Sequence, residues 1–248
     1  MRAWRDVVDE ATSRLGLVSP ALVRHWRAEL DEVERRVELL EYAAPADSAV
    51  DGLHAFVALA SARLADAWDP AQLIDVATAV ELAHRASQHH RRVVDAANGP
   101  DAERCPNARV VLDGDWSITQ AAVLVADIGP AAYRCLVRGY GSTQVGQLFG
   151  DAEPLALMKA AVELAALVAG LPDDAAASLW AAATADRTPA AERPLPLPAA
   201  VVAWAIGSYS SVGTANARND VPRIPGPVPS DVQLPSRSTT TSPAVGRS

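Results

Sequence analysis

Lysine is nearly absent from this chain: Lys159 is the only one, and the remaining 21 basic residues are arginines. With so much alanine and proline, that skew is a compositional bias before it is a functional signal. Positive charge is also short in total. The formal net charge is −8 and the sequence pI about 5.1. This excludes the basic field that non-specific nucleic-acid binding needs and gives no attraction to an anionic membrane. Cysteine is limited to Cys105 and Cys135 without a CxxC spacing, which points to neither a disulfide scaffold nor a zinc site. No 18-residue apolar run is free of charge, so no membrane span is expected. The start, Met1-Arg2-Ala3-Trp4-Arg5-Asp6, has no signal-peptide apolar region, and a soluble cytoplasmic protein is the expectation. Alternating strand patterns of useful length are missing too. Aromatics make up only 5% of residues, yet six of them are tryptophans; with 50% of residues apolar, a sizeable core can form.

What is present reads as helix after helix. Ser19 before Pro20 is a helix start, a cap followed by proline at the first helical position. Leu22, Trp26, Leu30, Val33, Val37 and Leu40 then recur every three or four residues, one apolar stripe with Arg27, Glu34, Arg35 and Arg36 mostly off it. Pro45 is the expected end of that helix. Further helices are predicted at 49–66, 70–97, 115–127, 129–148, 153–169 and 173–185, punctuated by Asp69-Pro70, Gly129-Pro130, Gly150-Asp151 and Gly170-Leu171-Pro172. An all-α bundle follows. Near Asp186 the composition changes, with ten of the 18 prolines beyond it. The expected division is a helical domain at 1–186 and a proline-rich tail at 187–248. Within the tail, 208–248 reads as disordered, and 198–207 as one short apolar helix that docks back.

Chemistry is concentrated in residues 79–98. Glu81 and His84 share a helix face. A Glu-x-x-His pair can ligate a di-iron centre, but that needs a second such pair and two further glutamates, and no second pair exists. A polar pair hydrogen-bonded inside a bundle is the expectation instead. His89 and His90 are adjacent, hence about 100° apart around the helix, and do not readily face one site.

The pattern as a whole resembles the signature helix of the trans-polyprenyl diphosphate synthases, typically Glu-Leu-Ile-His followed by His-Asp-Asp-x-x-Asp. Glu81-Leu82-Ala83-His84 matches the first part, Ala86-Ser87 the small pair after it, and His90 the second histidine. Arg91 and Arg92 stand at the positions of the Asp-Asp pair, and Asp95 at the last aspartate. Val111-Leu112-Asp113-Gly114-Asp115-Trp116 is similar to the family's Leu-Ala-Gly-Asp-Tyr segment. Val145-Gly146-Gln147 falls at its Gly-Glu or Gly-Gln, and Lys159-Ala160 at its Lys-Thr. Pro194 to Pro198 echoes a later Lys-Leu-Thr-Leu-Pro. The match runs in order over about residues 20–185.

The resemblance implies an isoprenoid-synthase-like helical bundle, and the departures imply a degenerate, C-terminally truncated member. The family's Gly-Gly-Lys-Arg-x-Arg-Pro run corresponds here to Ala49-Val50-Asp51-Gly52-Leu53-His54, without lysine or arginine. The loop with Arg-Arg-Gly reads Asn98-Gly99-Pro100-Asp101, and the helices with the second aspartate-rich motif are missing. The family ionises an allylic diphosphate with magnesium held by two carboxylate clusters. Two arginines in place of two aspartates turn three negative charges into a net single positive one, and guanidinium offers no ligand to magnesium. No cofactor and no catalytic residue is therefore expected. The vestigial diphosphate and metal site is His90, Arg91, Arg92 and Asp95; Glu81, His84, Asp115, Gln147 and Lys159 are the other matching positions. Arg91 and Arg92 either grip a diphosphate directly or pair with Asp95, Asp113 or Asp115 or lie solvated; the second is the expectation. The function implied is that of a non-catalytic partner or regulatory subunit of an active prenyl diphosphate synthase, as a homodimer or heterodimer. The alternatives are a weakly active prenyltransferase joining isopentenyl and allylic diphosphates, and a non-functional remnant.

Overall fold

The computed structural model describes residues 8–9, 12–13, 20–41, 52–65, 68–97, 107–149, 155–184 and 202. Among them the chain forms seven α-helices and no strand: α1 (Pro20–Leu40), α2 (Leu53–Ser61), α3 (Pro70–Ala97), α4 (Asn107–Ala126), α5 (Pro130–Phe149), α6 (Ala156–Val168) and α7 (Asp173–Thr184), with a short 3-10 turn (Ala62–Leu64) after α2. The proposed tail lies outside the described residues except for Val202, which is wholly buried in the hydrophobic core.

The 28-residue α3 is the axis of the bundle. It packs against α1, α2, α4, α5 and α6, and α6 in turn packs against α2, α5 and α7. The stripe on α1 lies as its periodicity dictates, with Trp26, Leu30, Val33 and Val37 buried. Trp26 meets Phe56 of α2 edge to face at 5.1 Å between ring centres, a favoured aromatic geometry. Every residue of α2 is buried, so this short apolar segment is a core helix. Gly170, at φ +64°, ends the α6 region in a left-handed turn. Its N–H reaches the Leu167 carbonyl at 3.2 Å, and the Leu171 N–H the Ala166 carbonyl at 2.9 Å, satisfying carbonyls that a helix end leaves open.

Several helix limits depart from the sequence expectation, and at two of them a tertiary contact gives the reason. The first helix ends at Leu40, ahead of Pro45. The Leu40 carbonyl there accepts the Trp116 indole N–H at 2.7 Å, and Glu41 turns into the core. Helix α4 begins at Asn107, eight residues before its predicted start. Gly114 lies in its interior, where glycine lowers helix stability by about 1 kcal/mol. A Cβ there would sit 2.5 Å from His90 Nε2 and 3.2 Å from His89 Cβ. Glycine lets α4 lie directly on α3 at that point, and this packing overrides local propensity. Among the described residues no helix is long and apolar enough to cross a membrane.

Candidate functional site

The buried side of α3 carries a string of polar groups. Glu81 is wholly buried, and its Oε1 accepts the Gly52 N–H at 3.1 Å. Gly52 itself sits at φ +82° at the start of α2, a left-handed conformation that glycine adopts without strain. Arg85, one turn on from Glu81, places Nε 3.7 Å from Glu81 Oε1 and its Nη1 against Glu41. His89 Nε2 lies 3.9 Å from the other Glu41 oxygen. Glu41, Arg85 and His89 are all at most 5% exposed, so two carboxylates, a guanidinium and an imidazole share one dry space.

His84 turns toward α2 and stacks on His54, ring centres 4.1 Å apart. Burial, and then the His84 ring beside it, hold His54 well below the ordinary histidine value. Burial, and then the Arg85 charge, push His84 down to about 3. Both rings are neutral at pH 7, and the unfolded chain, with histidines near 6.5, binds more protons than the folded one below that pH. The stability contributed by the neutral pair is present above about pH 6.5 and is lost as pH falls toward 3, at about 1.4 kcal/mol per pH unit per histidine. Urea titrations between pH 7 and 4 are expected to show this slope, and His54→Phe with His84→Phe to flatten it; an unchanged slope in that variant would contradict the assignment.

His90 faces the other way, toward α4 and α5. Its Nδ1 lies 2.7 Å from the Tyr140 hydroxyl and its Nε2 3.2 Å from Asp115 Oδ1. Burial and the Asp115 charge raise the Tyr140 hydroxyl above its usual range, so it stays protonated. The consistent arrangement has Tyr140 donating to Nδ1 and Nε2–H donating to Asp115. Asp113 is 3.8 Å from Arg109. Arg91 is exposed and Arg92 half-buried; the Asp95 side chain lies outside the described residues. Gln147 donates to the Ser87 hydroxyl at 2.7 Å, and Lys159 lies half-buried on α6.

Of the motif positions, His90 and Asp115 are thus brought together directly. Glu81 and His84 point into separate polar contacts, and Gln147 joins α5 to α3 rather than to His90. Glu41, His54, Arg85 and Tyr140 escaped sequence reasoning. Arg85 alone had a local signal, four residues after Glu81 on one helix. Magnesium requires hard oxygen ligands. At 90–92 the imidazole has both nitrogens engaged and the guanidiniums have no lone pair to give, so these side chains do not fit such an ion. Among the described residues no three His, Cys, Asp or Glu side chains group as a metal site.

No protein-family model matches the chain, and a search of curated proteins gave no match. Solved structures do match. A geranylgeranyl pyrophosphate synthase from Corynebacterium glutamicum, complexed with calcium and isoprenyl diphosphate, superimposes with a TM-score of 0.55 at 19% identity, over 66% of this chain and 62% of that one. A second structure of geranylgeranyl pyrophosphate synthase from Corynebacterium glutamicum gives 0.56 at 19% identity, over 71% and 63%. The chain has the fold of the trans-polyprenyl diphosphate synthases. It spans under two thirds of the length of those two synthase chains. A decaprenyl diphosphate synthase from Rhodobacter capsulatus aligns over 85% of this chain and 87% of its own, at 17% identity and a TM-score of 0.49.

Proposed function

We propose that this synthase-like chain is linked to isoprenoid biosynthesis as a non-catalytic partner or regulatory subunit of an active prenyl diphosphate synthase. One observation carries the reading. Where the resembling helix has its magnesium-binding aspartates, this chain has an exposed arginine and a half-buried one. The histidine before them is tied to Asp115 and Tyr140. Ionising an allylic diphosphate requires neutralising the departing diphosphate. With arginines in place of the aspartate pair and Asp95 the one carboxylate left in this stretch, the cluster that would hold the metals for that charge stabilisation is incomplete.

Two measurements test the reading. Incubated with isopentenyl and allylic diphosphates and magnesium, the purified chain is expected to give no prenyl product. Added to an active prenyl diphosphate synthase from the same cell, it is expected to co-purify and to change the rate or the product length. Product formation by the chain alone would replace this reading with that of a weak prenyltransferase. Absence of both product and association would leave no role in prenyl transfer.

A further inference from the structure

We propose that Glu41, Arg85 and Glu81 form a conformational relay that couples the end of α1 to the start of α2, with Trp116 as its outer end. Glu41 is the first residue after α1 and Gly52 the last before α2, so both inner stations sit at helix boundaries. On α4, the Trp116 indole N–H donates to the Leu40 carbonyl at 2.7 Å, while its side chain is 49% exposed. The next residue along the chain, Glu41, is buried and sets its carboxylate against Arg85 Nη1. Arg85 Nε lies 3.7 Å from Glu81 Oε1, and that same oxygen accepts the Gly52 N–H at 3.1 Å. A continuous path of contacts thus runs from solvent at α4, through the end of α1 and the axis helix α3, to the first turn of α2.

Burial is what makes this path transmit. At an exposed ion pair either partner moves away and water takes its place. Glu41, Arg85 and Glu81 have at most 5% of their side chains exposed, and an uncompensated buried charge is among the costliest states a fold can hold. When the end of α1 shifts, the guanidinium therefore follows Glu41 instead of releasing it. Glu81 then feels the change at the very oxygen that holds the Gly52 N–H. The receiving end is able to respond. Gly52 is at φ +82°, and glycine passes between left- and right-handed backbone conformations without the barrier a side chain imposes. Its carbonyl accepts the Phe56 N–H at 2.9 Å, so a turn at Gly52 alters how the first turn of α2 closes. The coupling acts within this chain and is independent of any role beside a synthase.

Amide hydrogen exchange of the full chain, resolved by residue with NMR, tests the relay. Neither Trp116 nor Glu41 bonds to Gly52, so any effect of either on its amide must travel. Trp116→Phe removes the bond to Leu40 and keeps an aromatic ring; Glu41→Gln removes the charge that Arg85 follows. Each is expected to speed exchange of the Gly52 amide by about threefold or more, the range of couplings carried through packed networks. The Leu171 amide, bonded to the Ala166 carbonyl at the far end of α6, is expected to keep its wild-type rate. Because both changes act on one path, Trp116→Phe/Glu41→Gln is expected to exchange at Gly52 about as fast as Glu41→Gln alone. A Gly52 rate indifferent to either single change would overturn the proposal. So would equal acceleration at Leu171, which marks loosening of the whole bundle, or a double variant whose acceleration is the product of the two single ones. If Glu41→Gln fails to fold, Trp116→Phe, at a half-exposed position, decides the matter by the Gly52 and Leu171 rates alone.

Discussion

Replacing Arg85 by methionine is expected to remove about 3–5 kcal/mol of folding stability, because it leaves two buried carboxylates without their counter-charge. Arg85 lies between Glu81, wholly buried, and Glu41, 3% exposed. The wild-type pairs add little net stability over apolar replacements, since three charged groups lose their water in forming them. Breaking the cluster from its cationic centre is a different matter: neither carboxylate has water to fall back on. A domain of this size has about 5–15 kcal/mol in total, so the loss is a large share of what holds the bundle together. Urea unfolding monitored by tryptophan fluorescence reads it directly. Adding Glu41→Gln to Arg85→Met is expected to recover part of the loss, because one of the orphaned charges goes with it. A loss below about 1 kcal/mol, the range of an exposed pair, would show that water reaches the cluster.

At Gly139 and Gly141, two residues apart on α5, substitution is expected to act with opposite sign. A Cβ on Gly139 would stand 2.5 Å from Ala160 Cβ and 3.1 Å from the Ala156 carbonyl oxygen of α6. Neither obstacle is a flexible side-chain end, so α5 and α6 must separate. Gly139→Leu is expected to lower stability by about 3 kcal/mol or more, at the upper end of overpacking effects. A Cβ on Gly141 meets nothing within 4 Å. Gly141→Ala is therefore expected to raise stability by about 0.5–1 kcal/mol through helix propensity alone. Thermal unfolding of the two variants side by side makes the comparison; equal shifts of the same sign would show that the close approach of α5 to α6 is absent in solution.

The neighbourhood of Cys135 follows the same packing. The thiol lies 3.3 Å from Glu163 Oε2, and Arg138 Nη2 lies 2.8 Å from that oxygen. Burial first, and then the Glu163 carboxylate, raise the thiol to about 12. Cys135 is therefore a protonated packing residue at neutral pH, since reactivity resides in the thiolate.

The candidate site was half legible in the sequence. The order of Glu81, His84, His90, Asp115, Gln147 and Lys159 along the chain led to the resemblance, and the fold of solved synthases agrees with it. That Arg91 and Arg92 stand where the resembling motif has aspartates is equally plain in the letters. What the letters did not carry is where each side chain goes. Asp115 stood among the expected partners of the arginines, and it is in contact with His90. Tyr140 lies 50 residues beyond His90 with no local pattern to join them, and Glu41 lies 44 residues before Arg85.

The sequence alone determined that the described residues form an all-helical bundle, where most of its helices begin and end, and which stripe of α1 faces inward. These follow from forces acting within a few residues: apolar periodicity near 3.6, and proline and glycine at the turns. The tertiary structure alone decided that Gly114 sits inside a helix rather than before one, that His54 and His84 stack, that His90 bridges Asp115 and Tyr140, and that Gly139 rests on Ala160. Each depends on the rotation and crossing of two helices. Those are set by how every side chain along both faces packs together, and no window of local sequence contains that information.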